Sequence, residues 1–235
     1  MRAAVYCATR NIYNNMIPAV KSLLRNSNVE QVYFLIEDDE FPYFLPEEVK
    51  CINVKHQHFF PEDGPNFKNG WTYMVLMRAA LHRIFPDLDT ILSLDVDTIC
   101  GKDISAIWDT PLGDNYLAGA REPQKSEFGM YVNAGVMLMN LRKLREDGMG
   151  DRIIEALNTK HYPFNEQDCI NEMCRGKIAH LQSEYNANAW TDACVSPKLI
   201  HFAAIQHYQD AALWRMYSDM SWEDALANRR KQQKS

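Results

Sequence analysis

The sequence contains no apolar run of the length that a membrane span needs. Its first eleven residues, MRAAVYCATRN, become polar too early for the apolar core of a secretion signal. Cysteine is sparse as well: six residues are scattered through 235, without a CxxC pair or the dense spacing of a disulfide framework. Together these absences predict a protein of the reducing cytoplasm.

Positive charge is also scarce. Twenty-five lysine and arginine residues face 31 acidic ones, which gives a formal net charge of −6. Proteins that bind nucleic acid need a local excess of positive charge to contact phosphates, so we expect no nucleic-acid partner. The exception is the basic segment 228–235, NRRKQQKS, which we predict to be a disordered tail. Its cations offer at most a peripheral contact with an anionic membrane.

Hydrophobic residues make up 46% of the chain, enough for one ordinary core, and we expect a single domain over residues 1–227. The run 3–8 predicts a buried strand, apolar residues at helical spacing follow from Ile17, and 31–36 (QVYFLI) predicts a second strand. Strand, helix and strand in this order imply parallel pairing and an α/β fold. A strand is also predicted at 89–94, further apolar runs lie at 116–120 and 135–139, and helical patterns lie at 71–85, 141–146, 152–157 and 167–174.

Two acids, Asp95 and Asp97, directly follow the predicted strand 89–94. Open α/β sheets bind ligands at the carboxyl ends of their strands, and a turn there can aim both carboxylates at one divalent cation. Such a cation would balance the charge of a nucleotide diphosphate. An isolated Asp-x-Asp is nevertheless more often a solvated pair or a cap for the helix expected near Asp103. A nucleotidyltransferase would also use such acids, but the sequence lacks the glycine-rich phosphate loop expected of one.

Three longer segments give these acids a context: 89–100 (DTILSLDVDTIC), 131–141 (YVNAGVMLMNL) and 165–171 (NEQDCIN), with weaker matches at 185–188 and 200–202. In this order and spacing they resemble the family 8 retaining glycosyltransferases, the group of glycogenin and the bacterial galactosyltransferases. The resemblance covers most of the chain. It implies a GT-A fold, with a Rossmann-like nucleotide-binding half and a mixed central sheet flanked by helices, and sugar transfer with retained anomeric configuration.

The resemblance implies a metal site made by the two outer acids, Asp95 and Asp97, and the late histidine His201. Two carboxylates and an imidazole suit octahedral Mn²⁺ or Mg²⁺, and the imidazole favours Mn²⁺. Without the resemblance His201, which follows apolar Leu199 and Ile200, is more often a hydrogen-bonded core histidine than a ligand.

The resemblance also assigns residues to the donor, a UDP-sugar. Arg78 would contact the donor from the helix before Asp95, although a solvated helix residue is the alternative. Ala134 and Gly135 would let the backbone approach the sugar, although a strand start with a glycine bulge is the alternative there. The ring of Tyr13 would stack on the uracil base. The other assigned donor contacts are Ala8, Thr9, Asn11, Val96, Ala204 and His207.

Three residues are assigned to catalysis. Gln167 would lie beneath the anomeric carbon, Asp168 would bond sugar hydroxyls, and Asn133 would bond a hydroxyl of the donor or the acceptor. Because an amide is a poor nucleophile, we expect a front-face mechanism in which Gln167 stabilises an oxocarbenium-like transition state electrostatically. The alternative is that residues 165–168 cap a helix.

Two positions depart from the family pattern. Arg10 stands where relatives place an acid that reads uracil. The stretch after His201 lacks the family's Gly and Lys-Pro-Trp and has Ala204 and His207 instead. Because neutral histidine binds phosphate less firmly than lysine, we expect weaker donor binding or a compensating cation such as Lys198.

The resemblance therefore predicts a hexosyltransferase that moves glucose or galactose from UDP-glucose or UDP-galactose to a saccharide or another hydroxyl acceptor. Two alternatives stay open at this point. One is a nucleotide-sugar-binding protein with little turnover, suggested by the departures from the family pattern. The other is a glycogenin-like enzyme that glucosylates its own tyrosine.

Overall fold

The structure is a computed structural model and describes residues 1–232, apart from the side chains of 126–128 and 229–232. The strands in this part of the chain are β1 (Ala3–Cys7), β2 (Gln31–Ile36), β3 (Val49–Asn53), β4 (Thr90–Leu94), β5 (Thr98–Cys100), β6 (Leu117–Arg121), β7 (Val132–Asn140), β8 (Ile178–Leu181) and β9 (Leu199–His201). The α-helices are α1 (Tyr13–Asn26), α2 (Leu81–Ile84), α3 (Leu141–Glu146), α4 (Met149–Thr159), α5 (Asn165–Met173), α6 (Ala212–Asp219) and α7 (Trp222–Gln232). Short 3₁₀ helices lie at Arg10–Ile12, Tyr73–Ala80, Ser105–Asp109, Pro123–Phe128, Ser183–Tyr185 and Tyr208–Asp210.

Seven of these strands form one mixed sheet in the order β3-β2-β1-β4-β7-β6-β8. The first four strands in this order pair in parallel. β7 runs antiparallel to both of its neighbours, β4 and β6. β5 and β9 form a separate antiparallel pair.

Side chains of the large sheet alternate between two cores, as the period of two along a strand requires. Along β1, Ala3 and Val5 belong to the core that α3, α4 and α5 cover. Ala4 and Tyr6 belong to the core on the other face, which α1 and α7 cover. Helices therefore flank the mixed sheet on both faces, and the α/β class predicted from the sequence is confirmed.

The structure differs from the sequence prediction in several elements. The predicted helix at 71–85 is a 3₁₀ helix over Tyr73–Ala80 that continues into the short α2. Its apolar spacing does not distinguish the two kinds of helix. The prediction missed β3 and β8, whose residues are only partly buried, and it missed β5 and β9. A strand of three residues is too short to show a repeat.

The predicted tail at 228–235 overlaps α7, which continues to Gln232, beyond the predicted boundary at residue 227. Leu226 is buried in the core that α1 covers, and the side-chain amide of Asn228 donates to the carbonyl oxygen of Arg25 at 2.9 Å. These contacts hold the helix on α1. Residues 233–235 lie outside the described part of the chain. Within that part, no helix combines the length and the apolar character needed to cross a bilayer.

Candidate active site

Asp95 and Asp97 lie in the turn that joins β4 to β5. Because β5 pairs with β9, Thr98 stands opposite His201, and the backbone N–H of Phe202 donates to the carbonyl oxygen of Asp97 at 2.9 Å. The Nε2 atom of His201 lies 3.3 Å from Oδ1 of Asp97 and 3.5 Å from Oδ2 of Asp95. One possible ligand atom from each of the three residues lies within 4.8 Å of the others. The small sheet thus brings the three predicted metal ligands together.

A buried amide fixes the ring of His201. The side chain of Asn186 is fully buried, and its Oδ1 lies 3.0 Å from Nδ1 of His201. Its Nδ2 donates to Oδ1 of Asn133 at 3.0 Å, so the amide orientation is determined at both ends. Nδ1 of His201 therefore carries the hydrogen and Nε2 keeps its lone pair for a cation, which is the usual arrangement of a metal-binding histidine.

The charges of the cluster favour a cation. Burial acts to lower the pKa of His201, but the carboxylates of Asp97 and Asp95 hold that pKa above its ordinary value. Burial acts to raise the pKa of Asp97, but His201, a backbone hydrogen bond and Arg78 together hold that pKa below its ordinary value. Two carboxylates and one oriented imidazole fit Mn²⁺ or Mg²⁺, as expected from the sequence.

The ring of His201 leaves no room for a side chain at position 135. A Cβ atom on Gly135 would lie 2.1 Å from Cε1 of the His201 ring. The backbone cannot retreat easily, because the carbonyl oxygen of Gly135 accepts from the N–H of Asp95 at 2.8 Å and its N–H donates to Oδ1 of Asn133 at 3.0 Å. Only glycine at this position therefore leaves room for the histidine ring, a reason that the sequence did not reveal.

Arg78 is a buried member of the site rather than a solvated helix residue. Its guanidinium donates to Oδ1 of Asp95, to Oε1 of Glu166 at 2.5 Å and to Oγ of Ser93 at 3.2 Å. Burial raises the pKa of Glu166 to about 7, although Arg78 acts to lower it. Arg78 thus links a predicted metal ligand to the start of α5.

Gln167 and Asn133 meet at a third acid, Glu122. Oε1 of Gln167 accepts from the backbone N–H of Ala134 at 2.8 Å, and its Nε2 lies 3.4 Å from Oε1 of Glu122. The same carboxylate oxygen accepts from Nδ2 of Asn133 at 2.7 Å. A continuous set of hydrogen bonds therefore joins Gln167, Glu122, Asn133 and Asn186 to His201.

Asp168 has a different environment. Its Oδ2 accepts from the backbone N–H of Phe164, the residue before α5, at 2.9 Å. Its Oδ1 accepts from the hydroxyl of Tyr131 and from Nζ of Lys125, which lies 3.2 Å away. Asp168 does not line the cavity described below. The helix-capping alternative therefore describes Asp168, while Gln167 faces the site.

The site contains a cavity of about 400 Å³. Nine of the predicted site residues contribute to its wall: Arg78, Asp95, Asp97, Asn133, Ala134, Gly135, Gln167, His201 and Ala204. The others, Ala8, Thr9, Asn11, Tyr13, Val96, Asp168 and His207, do not.

Comparison with known proteins shows the family to which this chain belongs. The sequence profile of Glycosyl transferase family 8 matches residues 4–211. The chain belongs to this family.

Among curated relatives, the glycosyltransferase GlyE of Streptococcus pneumoniae is 28% identical over 202 residues, covering 79% of this chain and 47% of GlyE. A putative glycosyltransferase of Haemophilus influenzae is 26% identical over 141 residues, covering 53% of this chain and 43% of the relative. In this family 8 chain the matched region therefore spans less than half the length of either relative.

Solved structures agree with the fold. The apo form of GlyE superimposes with a TM-score of 0.75 at 20% identity, covering 99% of this chain and 64% of GlyE. The galactosyltransferase LgtC, solved with donor and acceptor sugar analogs, gives a TM-score of 0.66 at 20% identity, covering 96% of this chain and 95% of LgtC. The predicted GT-A fold is confirmed.

The loop assigned to uracil in this family 8 chain is only partly open. Ala8 is fully buried and Tyr13 is 1% exposed. The ring of Tyr13 packs against Phe41 at 5.2 Å, and its hydroxyl accepts from the backbone N–H of Glu37 at 2.6 Å. Tyr13 therefore supports the loop from below and presents no open face to a base. Thr9, whose hydroxyl donates to Oδ1 of Asn11, remains on the surface of the loop.

The structure also shows the surroundings of Arg10 and His207, the two positions that depart from the family pattern. Arg10 forms an ion pair with Asp38. His207 is exposed, with a left-handed backbone at φ 56°, and it does not line the cavity. Lys198 pairs with Glu184 at 2.7 Å and does not line the cavity, so its role as a compensating cation stays a prediction.

Sequence reasoning missed four residues of this site: Glu122, Lys125, Tyr131 and Asn186. Tyr131 and Asn186 fall inside the segments that carry the family resemblance, and that was the available signal. Lys125 and Glu122 lie outside them, and no pattern distinguishes them from solvated charges.

Proposed function

We propose that this family 8 chain is a retaining hexosyltransferase that moves glucose or galactose from a UDP-sugar to a hydroxyl acceptor, in the simplest case a saccharide. The observation that carries the proposal is the convergence of Asp95, Asp97 and His201 in the wall of one cavity. A divalent cation, Mn²⁺ or Mg²⁺, held by these residues would balance the charge of the departing diphosphate.

The cavity offers groups for the transferred sugar. Arg78 uses three of its five N–H donors on Asp95, Glu166 and Ser93, which leaves donors for a sugar hydroxyl. The side chains of Arg78 and Asn133 are 5% and 6% exposed, so both are held rigidly by their partners. Rigid donors lose little freedom when they bind a substrate.

Gln167 would stabilise the reacting carbon. The N–H of Ala134 fixes the carbonyl oxygen of Gln167, and that oxygen retains a second lone pair. In a front-face reaction the bond between the anomeric carbon and the diphosphate oxygen breaks, and the acceptor oxygen bonds the same face. The acceptor proton passes to the departing diphosphate. Positive charge that develops at the anomeric carbon is then stabilised by the carbonyl dipole of Gln167.

A second candidate function is binding of a nucleotide sugar with little turnover. The positions of His207 and Lys198 favour it, because His207 lies outside the cavity and Lys198 is paired with Glu184. Without a cation from this segment, the bond between the sugar and the diphosphate would break more slowly, or the diphosphate would bind less tightly.

The test is a screen of UDP-sugars for Mn²⁺-dependent UDP release, with neutral saccharides present as acceptors. Thermal stabilisation by UDP and Mn²⁺ is recorded in parallel. Asp95→Ala and Asp97→Ala are compared with Asp114→Ala, whose carboxylate is 94% exposed and does not line the cavity. We expect the first two variants to lose metal-dependent UDP binding and the third to retain it.

The outcomes separate the candidates. Metal-dependent UDP binding that survives in both Asp95→Ala and Asp97→Ala would refute the metal assignment. Stabilisation by a UDP-sugar without product formation from any acceptor would favour the binding protein over the transferase.

A further inference from the structure

Exposed aromatic side chains are concentrated at the active-site cavity. In the described part of the chain, five aromatic residues are exposed, and three of them line this cavity: Trp71, Phe164 and Trp190, with exposed fractions of 51%, 47% and 47%. Single exposed apolar side chains are common, but several of them at one cleft mark a ligand-binding surface.

The three rings lie at the mouth of the cavity rather than on its floor. Lining residues such as Arg78, Asn133 and His201 are at most 6% exposed, whereas the rings are about half exposed. The sugar attached to the diphosphate has to reach the floor, where the metal ligands are. An acceptor has to approach from the open side, so the rings face the acceptor.

Neighbouring contacts hold the rings of Trp71 and Phe164 and the backbone of Trp190 in place. The centroids of Trp71 and Phe164 lie 5.9 Å apart, and Nζ of Lys125 lies 3.8 Å from the centroid of Phe164. The backbone N–H of Trp190 donates to Oδ1 of Asn188 at 2.8 Å, and Nδ2 of Asn188 donates to Oδ1 of Asn186 at 3.0 Å. Trp190 is thereby connected to the amide that orients His201.

The charges of the cavity select against an anionic acceptor. Its two cations are paired, Arg78 with Asp95 and Glu166, and Lys125 with Asp168. Asp97 and Glu122 add further negative charge, and a UDP-sugar diphosphate brings roughly two more negative charges against the two positive charges of a divalent ion. A carboxylate or phosphate on the acceptor would therefore be repelled.

We propose that Trp71, Phe164 and Trp190 form the acceptor subsite, and that its occupant is an uncharged saccharide whose ring packs on their faces. One face of a pyranose presents C–H bonds, which are weakly positive and pack on the negative face of an aromatic ring. The inference rests on the proposed transferase function and adds the residues and the charge class of the acceptor.

The first experiment probes the charge class. Labelled protein loaded with UDP and Mn²⁺ is applied to an array of neutral glycans and of glycans that carry uronic acid, sialic acid or phosphate. We expect binding to neutral glycans only. Binding confined to anionic glycans, or no glycan binding by protein that does bind UDP and Mn²⁺, would overturn the inference. Failure to bind UDP would instead count against the proposed function.

The second experiment probes the rings, using a neutral glycan that binds. Acceptor KM, donor KM and acceptor-free hydrolysis of the UDP-sugar are measured for Trp71→Ala, Trp190→Ala and Trp190→Tyr. The control is Phe44→Ala, because Phe44 is 73% exposed and does not line the cavity. Each alanine variant should raise the acceptor KM about three- to tenfold, and Trp190→Tyr should recover part of the loss.

Phe44→Ala should leave the acceptor KM, the donor KM and acceptor-free hydrolysis unchanged, because Phe44 does not line the cavity. In the two alanine variants the acceptor KM should rise by a larger factor than the donor KM. An unchanged acceptor KM in both alanine variants would refute the aromatic subsite. A rise in donor KM alone would assign the rings to the donor instead.

Discussion

Replacing Gly135 with alanine tests the geometry of the proposed metal site most directly. The new Cβ would stand 2.1 Å from Cε1 of His201, whereas ordinary contact begins at 3.4 Å. The difference, 3.4 minus 2.1, requires a shift of about 1.3 Å. Since β7 is hydrogen-bonded on both sides, the histidine ring is the part that has to move.

A shift of this size exceeds what metal coordination tolerates. Ligand distances in metal sites are kept within about 0.2 Å, and disturbing the groups that orient a ligand weakens metal binding about tenfold to a hundredfold. That range corresponds to about 1.4 to 2.7 kcal/mol. We expect Gly135→Ala to lose at least this much affinity for Mn²⁺ in the presence of UDP.

The assay is calorimetric titration of Mn²⁺ into the UDP-saturated protein, with circular dichroism to verify the fold. Gly101→Ala is the matched control, because it follows β5 and its nearest heavy atom would lie 3.8 Å away. That variant should bind Mn²⁺ like the unmodified chain. Unchanged Mn²⁺ affinity in folded Gly135→Ala would refute the assignment of His201 as a ligand.

Three further predictions concern neighbouring residues. Asn186→Ala removes the acceptor for Nδ1–H of His201 and should weaken Mn²⁺ binding about tenfold. Asn186→Asp should retain most of the Mn²⁺ affinity. Nitrogen NMR of the imidazole reports the tautomer. Because burial raises the pKa of Glu166 from 4.5 to about 7, the metal-free folded state holds a proton there that the unfolded state releases. Its stability should therefore fall as pH rises from 4.5 to 7, and Glu166→Gln should flatten this part of a Tm profile. Gln167→Ala should lower kcat about a hundredfold with UDP affinity unchanged; a loss beyond about ten-thousandfold would point to covalent catalysis by Gln167.

The sequence predicted the sheet best at two interior strands that are mostly buried, whereas only 135–139 of the longer β7 was predicted. β2 has the predicted bounds, and β4 ends where its apolar run meets Asp95. Both strands lie inside the sheet, so nearly every side chain is apolar and the run itself marks the strand. The exposed or short strands gave no such signal.

The site was predicted through resemblance more than through pattern. His201 reaches the acids by means of β9, whose three residues show no periodicity, so only the family match connected them. Asn186 and Glu122 are buried amide and acid groups whose partners lie far away in the chain. A single sequence does not distinguish such groups from solvated ones.

In the loop assigned to uracil, the spacing of apolar residues could have corrected the role that the family resemblance gave to Tyr13. Tyr13, Met16 and Val20 occur at helical spacing and are all buried on the inner side of α1. That spacing alone assigns the Tyr13 ring to the core. The family resemblance assigned Tyr13 to base stacking by its position in the sequence, and that assignment was preferred to the evidence of the spacing.

The small sheet of β5 and β9 also bears on the order in which the protein is made. Every strand of the large sheet lies before residue 182, but His201 reaches Asp97 only when β9 pairs with β5 about a hundred positions earlier in the chain. A ribosome would thus release every strand of the large sheet before it supplies His201, the third predicted metal ligand. On that assignment the nascent chain has no complete cation site until synthesis has passed β9.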